Sequence, residues 1–175
     1  MKCESKSDRN WATGHCHRRR ISFAKCGRSG MRNSSTICVD ASLVVGLYAS
    51  VPDERVRELW GRWQQDRQQL VAPTLLRFEV TNALYRYQKA GLVSADATKR
   101  ALNTALALPI QFYGDVDLHE SALAMAGRFA LPAAYDAHYL ALAERLGATF
   151  FTTDQRLANV VQSALSWVHV VGTNH

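Results

Sequence analysis

The chain of 175 residues lacks the sequence motifs that identify several common classes of enzyme and cofactor-binding site. It has no Gly-x-x-x-x-Gly-Lys-[Ser/Thr] phosphate loop, no Gly-x-Gly-x-x-Gly dinucleotide fingerprint and no Gly-x-Ser-x-Gly nucleophile elbow. It also has no Cys-x-x-Cys pair, which excludes the usual redox and zinc-ribbon motifs. No apolar run approaches the roughly 18 residues of a membrane-spanning helix, so we expect no membrane association.

The net charge of +6 is concentrated in the first 33 residues. They hold nine Lys and Arg against two acidic residues, whereas residues 34–175 hold twelve basic and thirteen acidic residues, a net charge of −1. The charge of residues 34–175 therefore gives no argument for nucleic-acid binding. Residues 1–33 show no periodicity, and we predict a disordered basic extension before one folded domain over residues 34–175.

Two alternatives apply to this extension. A basic arm that helps to bind RNA would use the run Arg18–Arg20. A metal site would use His15, Cys16 and His17, but adjacent ligands lack the spacing of a structural zinc site. Cysteine is otherwise scarce, since Cys38 is the one thiol of residues 34–175. One thiol cannot build a disulfide framework, and this favours a reducing cytoplasm.

From residue 36 onward, short β-favouring runs alternate with helical patterns. Strands are predicted over residues 36–39, 70–72, 110–113, 149–151 and 167–171. Helices are predicted over residues 42–48, 54–66, 74–89, 95–107, 117–129, 134–146 and 155–163. This alternation implies parallel pairing through right-handed crossovers. We therefore predict an α/β fold: a three-layer α/β/α sandwich around a central, mainly parallel sheet of about five short strands.

Two acidic residues directly follow predicted strands. Asp40 ends the run Cys-Val-Asp, and Asp154 ends the run Phe-Phe-Thr-Thr-Asp. Each also suits the N-cap of the next helix, so either residue alone leaves capping and metal binding equally open. Because parallel strands end at one sheet edge, the two carboxylates are expected to face one crevice.

Two further carboxylates lie on predicted helices. Asp136 is in line with Tyr139 and Leu140 on the apolar face of its helix. A buried carboxylate is costly unless a cation or a helix N-terminus compensates it, and this favours a ligand over a helix-stabilising role for Asp136. Glu79 lies on the flank of an apolar stripe, where a solvated charge is the simpler interpretation.

Together the four acids indicate a cation site. Four like charges at one sheet edge repel, and a hard dication such as Mg²⁺ or Mn²⁺ resolves this with oxygen ligands and water. A cation of this kind activates water and stabilises charge on phosphorus. The cluster therefore indicates hydrolysis of phosphodiesters.

The pattern resembles the PIN-domain family, and within it the VapC-type ribonuclease toxins of bacterial toxin–antitoxin pairs. The matching segments are residues 39–42, 79–82, 135–143 and 152–157. They occur in the family's order at intervals that suit it, and the resemblance covers roughly residues 36–172. The basic extension has no counterpart in the family.

The resemblance implies a Mg²⁺- or Mn²⁺-dependent endoribonuclease that leaves a 3′-hydroxyl and a 5′-phosphate. The implied catalytic set is Asp40, Glu79, Asp136 and Asp154. Asp40 and Asp136 would bind the metal, and Glu79 and Asp154 would bind it directly or through water. The implied supporting set, which orients carboxylates or ligand water, is Ser42, Asn82 and Thr152.

The resemblance also implies partners: an RNA substrate, a cognate antitoxin, and a second copy in a homodimer or a larger toxin–antitoxin assembly. Candidate RNA-binding residues are Arg77, Arg86, Lys89 and Arg156, for which a solvated helix face is an equal alternative. Trp60 and Trp63 suit either an antitoxin contact or core packing.

Two other functions compete with this one. A catalytically silent PIN-like module that binds RNA or protein would have lost an acid, and all four are present. A small phosphatase that forms an aspartyl-phosphate would need a second Asp two residues after Asp40, where Ser42 stands.

Overall fold

The computed structural model describes residues 35–48 and 53–172. Its strands are β1 (Thr36–Val39), β2 (Gln69–Pro73), β3 (Ile110–Tyr113), β4 (Thr149–Thr152) and β5 (Val168–Val170). Its helices are α1 (Ala41–Tyr48), α2 (Glu54–Gln65), α3 (Leu75–Lys89), α4 (Ala95–Leu106), α5 (Val116–Arg128), α6 (Tyr135–Leu146) and α7 (Gln155–Val161). The predicted extension over residues 1–33 lies outside the described residues, so it and the domain boundary stay predictions.

The five strands form one sheet in the order β3-β2-β1-β4-β5, and every neighbouring pair is parallel. The predicted α/β fold is therefore confirmed. The chain builds outward from β1 to β2 and β3, then returns to place β4 on the other side of β1. With right-handed crossovers, this reversal puts α1, α3 and α4 on one face and α5 and α6 on the other.

Helix boundaries follow capping chemistry. Side chains of Asp53, Ser94 and Asp115 accept backbone N–H bonds at the starts of α2, α4 and α5. The sequence predicts that the fifth helix starts at Asp117, but Asp115 is the N-cap and α5 starts at Val116. Arg145 holds Asp115 through two hydrogen bonds of 2.7 and 2.9 Å.

The core is centred on β1, whose four residues are all buried. Trp60 and Trp63 are 5% exposed, with ring centroids 5.8 Å apart, and the Trp63 ring also meets Phe151 at 4.9 Å. This burial favours core packing over an antitoxin contact for both tryptophans. Within the described ranges, no helix combines the length and apolar character that a membrane crossing requires.

Candidate active site

The acidic residues meet where the chain reverses its direction across the sheet. β1 and β4 are adjacent, and the backbone N–H of Asp40 extends their pairing by donating to the carbonyl of Phe151 at 3.1 Å. Successive crossovers leave β1 toward β2 and later arrive at β4 on the opposite side. A crevice opens beyond the carboxyl ends of such strands, and this is where ligands bind in open α/β sheets.

Two hydroxyls hold the carboxylate of Asp40. Its Oδ2 accepts hydrogen bonds from Ser42 Oγ at 2.7 Å and from Thr152 Oγ1 at 2.5 Å. The same hydroxyls accept backbone N–H bonds from Thr153 (3.1 Å) and Asp154 (2.9 Å). Because a hydroxyl has one proton to donate, these amide bonds fix both donors toward Asp40. The ends of β1 and β4 are thereby locked in one orientation.

Burial is the main influence on the charge of Asp40. It raises the pKa of that carboxyl, while the hydrogen bonds from Thr152, Ser42 and the backbone oppose the rise. Burial likewise raises the pKa of the neighbouring Cys38 thiol, as does the charge of Asp40. An ionised Asp40 is therefore oriented by hydrogen bonds but not neutralised.

Glu79 lies half-buried on α3, and the hydroxyl of Tyr139 on α6 donates to its Oε2. Burial raises the pKa of Glu79, the Tyr139 hydrogen bond lowers it, and the charges of Asp40 and Asp136 raise it again. Sequence reasoning placed Tyr139 on the apolar face of its helix and missed this contact. The available signal was its position three residues after Asp136, on the same face.

Asp136 is the second residue of α6 and is also half-buried. Burial raises its pKa, the charges of Asp40 and Asp154 raise it further, and Arg156 opposes them. Among the described residues, no hydrogen bond reaches its carboxylate and no buried side-chain oxygen or nitrogen lacks a partner. The Asp136 oxygens are therefore open to solvent, facing the other acids.

Asp154 both caps a helix and borders the cluster. It is the N-cap of α7, where its Oδ1 accepts from the backbone N–H of Arg156 at 2.8 Å and of Leu157 at 3.3 Å. The Arg156 guanidinium lies 3.3 Å from its Oδ2. Burial raises the pKa of Asp154, but these bonds outweigh it and hold the pKa below its ordinary value. The capping role opened by the sequence is therefore present, and the charge of Asp154 also acts on Asp136. Metal binding by Asp154 stays a prediction.

The donor set suits a hard cation. All donors are oxygens, the ligand type that Mg²⁺ prefers. Burial raises the pKa of Asp40, Glu79 and Asp136, and neighbouring negative charges raise the pKa of Glu79 and Asp136 further. A bound dication would stabilise the ionised form of all three. In residues 35–48 and 53–172, no three His, Cys, Asp or Glu side chains form a group that could hold a metal ion by themselves. The carboxylate chemistry still suits Mg²⁺, which takes few protein ligands and keeps several waters.

The other predicted site residues are more dispersed. Arg77 is exposed on α3 and stacks over the Phe112 ring at 3.9 Å from its centroid. Arg86 and Lys89 line an open groove of about 560 Å³ farther along α3. Asn82 is exposed, and no hydrogen bond joins its side chain to another described residue. Of the predicted basic residues, Arg156 is the one paired with an acid of the cluster.

Comparisons with known proteins agree with this geometry. The family model of the PIN domain matches residues 37–162. Ribonuclease VapC3 of Pyrobaculum aerophilum is 32% identical over 127 residues, which cover 70% of this chain and 92% of the relative. A crystal structure from the same organism is 25% identical, with a TM-score of 0.57 over 77% of this chain and 91% of that one. A toxin–antitoxin complex from Klebsiella pneumoniae shares the fold at 16% identity, with a TM-score of 0.53 over 77% and 96%.

Proposed function

This chain belongs to the PIN-domain family and, within it, to the VapC ribonucleases, and on that premise we propose that it is a metal-dependent endoribonuclease acting as the toxin of a toxin–antitoxin pair. The observation that carries the proposal is the electrostatic interaction of Asp40, Glu79 and Asp136 at one end of the sheet. Burial raises the pKa of all three carboxyls, and the charge of Asp40 raises the pKa of Glu79 and of Asp136 further. Carboxyls with pKa values perturbed in this way are typical of functional sites.

The proposed ligand set is Asp40, Glu79, Asp136 and Asp154, directly or through water, and the proposed ion is Mg²⁺ or Mn²⁺. When bound, the ion supplies Lewis acidity toward a phosphate oxygen and lowers the pKa of water. Ser42 and Thr152 keep Asp40 oriented, and Tyr139 does the same for Glu79. Preorganised ligands of this kind need no rearrangement when substrate arrives.

Hydrolysis requires a water oxygen to bond to phosphorus while the bond to the 3′ oxygen breaks. A proton passes to that 3′ oxygen, which leaves a 3′-hydroxyl and a 5′-phosphate. Asp136 is suited to face the incoming water, because its oxygens are open to solvent and accept no hydrogen bond from a described residue. Asn82 stays a proposed supporting residue at the cluster's outer edge.

Further proposals concern the partners of the chain. Arg77, Arg86, Lys89 and Arg156 are proposed to contact RNA phosphates, because all four are exposed. An antitoxin partner is supported by the fold shared with a toxin–antitoxin complex. We also propose a homodimer, alone or within a larger toxin–antitoxin assembly. A reducing cytoplasm is the proposed compartment, since Cys38 is buried as a free thiol.

The test is RNA cleavage by the full purified chain. We expect cuts in RNA with Mg²⁺ or Mn²⁺, none in EDTA, and recovery when either ion is returned. Asp40→Asn should lower the rate at least about 100-fold, since it removes a ligand charge from the cluster. The matched control is Asp117→Asn, an exposed acid on α5 that should cut like the wild type.

Two results would contradict the proposal. Undiminished cutting in EDTA would remove the metal mechanism, and full activity in Asp40→Asn would remove the site assignment. If the folded chain instead binds RNA with all ions present and never cuts it, the catalytically silent binding module takes its place.

A further inference from the structure

A small aromatic cavity lies at the same edge of the sheet as the acidic cluster. Its volume is about 250 Å³, and its walls come from the ends of β2 and β3 and the starts of α3, α5 and α6. Its principal lining residues are Pro73, Phe78, Tyr113, His119, Tyr135 and His138. We propose that this cavity, termed here the aromatic pocket, binds one nucleobase of the RNA that the cluster cleaves, an inference that rests on the proposed ribonuclease function.

The position of the aromatic pocket ties it to the cluster. Phe78 immediately precedes Glu79 on α3, and Tyr135 immediately precedes Asp136 on α6. The two helices that carry the acids therefore also carry two walls of the pocket. A strand whose phosphate lies at the acids has a neighbouring nucleotide within reach of this cavity.

The lining of the aromatic pocket suits a flat, conjugated ligand. Phe78 is 72% exposed and Tyr135 is 63% exposed, so two large rings stand at the surface without core packing to account for them. Every nucleobase offers a π face, and stacking on aromatic side chains is the usual way in which single-stranded RNA is held. The volume accommodates a single base rather than a folded segment.

Two histidines give the aromatic pocket a polar edge. His138 Nδ1 lies 2.6 Å from the Ala134 carbonyl, so this nitrogen carries the proton and donates. In a neutral ring its Nε2 then accepts, and His119 Nδ1 donates to it across 2.9 Å. This leaves Nε2 of a neutral His119 as an acceptor. A base with an amino or ring N–H can donate to it, which would add selectivity to stacking.

A close contact between Gly114 and Thr74 shapes the back of the aromatic pocket. A Cβ at Gly114 would lie 2.6 Å from the Thr74 hydroxyl oxygen and 2.9 Å from its methyl carbon, so a larger residue at position 114 would displace the Thr74 side chain. Both residues directly follow strands, which places this contact at the sheet edge. The competing occupant is a second copy of this chain, packed on Phe78 and Tyr135. We favour the base because the cavity is small and because the helices that line it, α3 and α6, also carry Glu79 and Asp136.

The test uses the full chain and a set of RNA octamers in which each position around the cut is varied through all four bases. Cleavage rates are measured with Mg²⁺, and octamer affinities are measured by fluorescence anisotropy in EDTA. The variants are Phe78→Leu, which keeps apolar volume but removes the ring, and Phe78→Trp, which keeps it. Leu123→Ala, at a 71% exposed residue of α5 outside the pocket, is the control.

We expect the wild type to prefer particular bases at one position beside the cut. Phe78→Leu should flatten that preference and weaken octamer affinity about ten-fold, with KM rising and kcat little changed. Phe78→Trp should keep the base preference that Phe78→Leu loses, and Leu123→Ala should match the wild type. All variants should fold, because the altered side chains are exposed.

Unchanged affinity and base preference in Phe78→Leu would overturn the assignment. A fall in mass of Phe78→Leu from dimer to monomer by light scattering would overturn it too, and would assign the surface to a second copy. If the wild type cuts no octamer, the proposed function fails. The EDTA affinities then still decide the aromatic pocket, since base-dependent binding lost in Phe78→Leu supports it and its absence overturns it.

Discussion

The hydroxyl of Tyr139 donates a hydrogen bond to the carboxylate of Glu79, joining α6 to α3 across the end of the sheet. The Tyr139 ring is 1% exposed and packs near Phe150, with centroids 6.0 Å apart. One side chain thus belongs to the hydrophobic core at its ring and to the acidic cluster at its hydroxyl. Core packing therefore positions Glu79 directly.

Tyr139→Phe keeps the packed ring and removes the hydroxyl. We expect the rate of RNA cleavage to fall about ten-fold and the Mg²⁺ concentration for half-maximal activity to rise, because Glu79 loses the bond that orients it. The free energy of unfolding should fall by about 1 kcal/mol. Cleavage titrated with Mg²⁺ and urea unfolding give the two values. Tyr85→Phe, an exposed tyrosine of α3, should change neither.

Thr152→Val tests the hydroxyl that links β4 to Asp40. Thr152 is fully buried, and its Oγ1 both donates to Asp40 and accepts from the Asp154 amide. Valine has nearly the same shape as threonine but leaves Asp40 and the Asp154 amide without this hydrogen-bond partner. We therefore expect the free energy of unfolding, measured in urea, to fall by about 1–3 kcal/mol, together with lower activity. Thr152→Ser restores the hydroxyl and should recover most of both. Equal loss in the two variants would show that the methyl group matters rather than the hydrogen bonds.

The charges of Asp136 and Asp154 should contribute to the free energy of unfolding with opposite signs as the pH changes. The folded-state pKa of Asp136 is raised above its unfolded value, so its ionised form costs stability, a cost that grows as pH rises through the folded pKa. In EDTA, Asp136→Asn should therefore be more stable than the wild type at neutral pH, with an advantage that disappears as the pH falls. Urea unfolding between pH 4 and pH 8 measures this difference.

Asp154→Asn is the matched comparison. In the wild type, the folded-state pKa of Asp154 is lowered below its unfolded value. The Asp154 carboxylate therefore contributes stability that is present above the unfolded pKa and is lost as pH falls through the folded pKa. Asparagine still caps α7, so the variant should lose less than about 1 kcal/mol at neutral pH and nothing in acid. The same sign for both variants would contradict the distinction between an uncompensated and a paired carboxylate.

Two glycines should respond oppositely to alanine. Gly147 ends α6 in the left-handed region with φ of 61°, so Gly147→Ala should cost about 1 kcal/mol. Gly61 lies inside α2, and a Cβ there would meet nothing within 4 Å, so Gly61→Ala should stabilise by about 0.5–1 kcal/mol. Urea unfolding of the two variants checks both signs. Destabilisation by Gly61→Ala would show that α2 has less room than its geometry indicates.

Local patterns predicted the elements well because their determinants are local. The strands Thr36–Val39 and Ile110–Tyr113 have the predicted bounds, and the helices that Asp53 and Ser94 cap start at the predicted residues 54 and 95. The differences are mostly at ends. β2 extends to Pro73, which needs no N–H at a strand's last position, and α5 starts earlier because Asp115 is its cap.

The side-chain partners of the site depended on contacts between distant parts of the chain. Thr152 meets Asp40 across 112 positions, and Tyr139 meets Glu79 across 60. Periodicity placed Tyr139 in the core and Glu79 beside it, but not their hydrogen bond. Asn82, three residues after Glu79, was grouped with the site by sequence and is exposed without a hydrogen bond to a described residue.

The sequence by itself determined the α/β alternation, the parallel sheet and the placement of four acids near strand ends and helix starts, because capping, periodicity and crossover handedness act over short stretches. Only the tertiary structure decided which atoms meet. The return of β4 beside β1 brings Thr152 to Asp40, and the packing of α6 opposite α3 brings Tyr139 to Glu79. Those contacts decide which carboxylates stay uncompensated, since burial and distance, not residue type, set the cost of a charge.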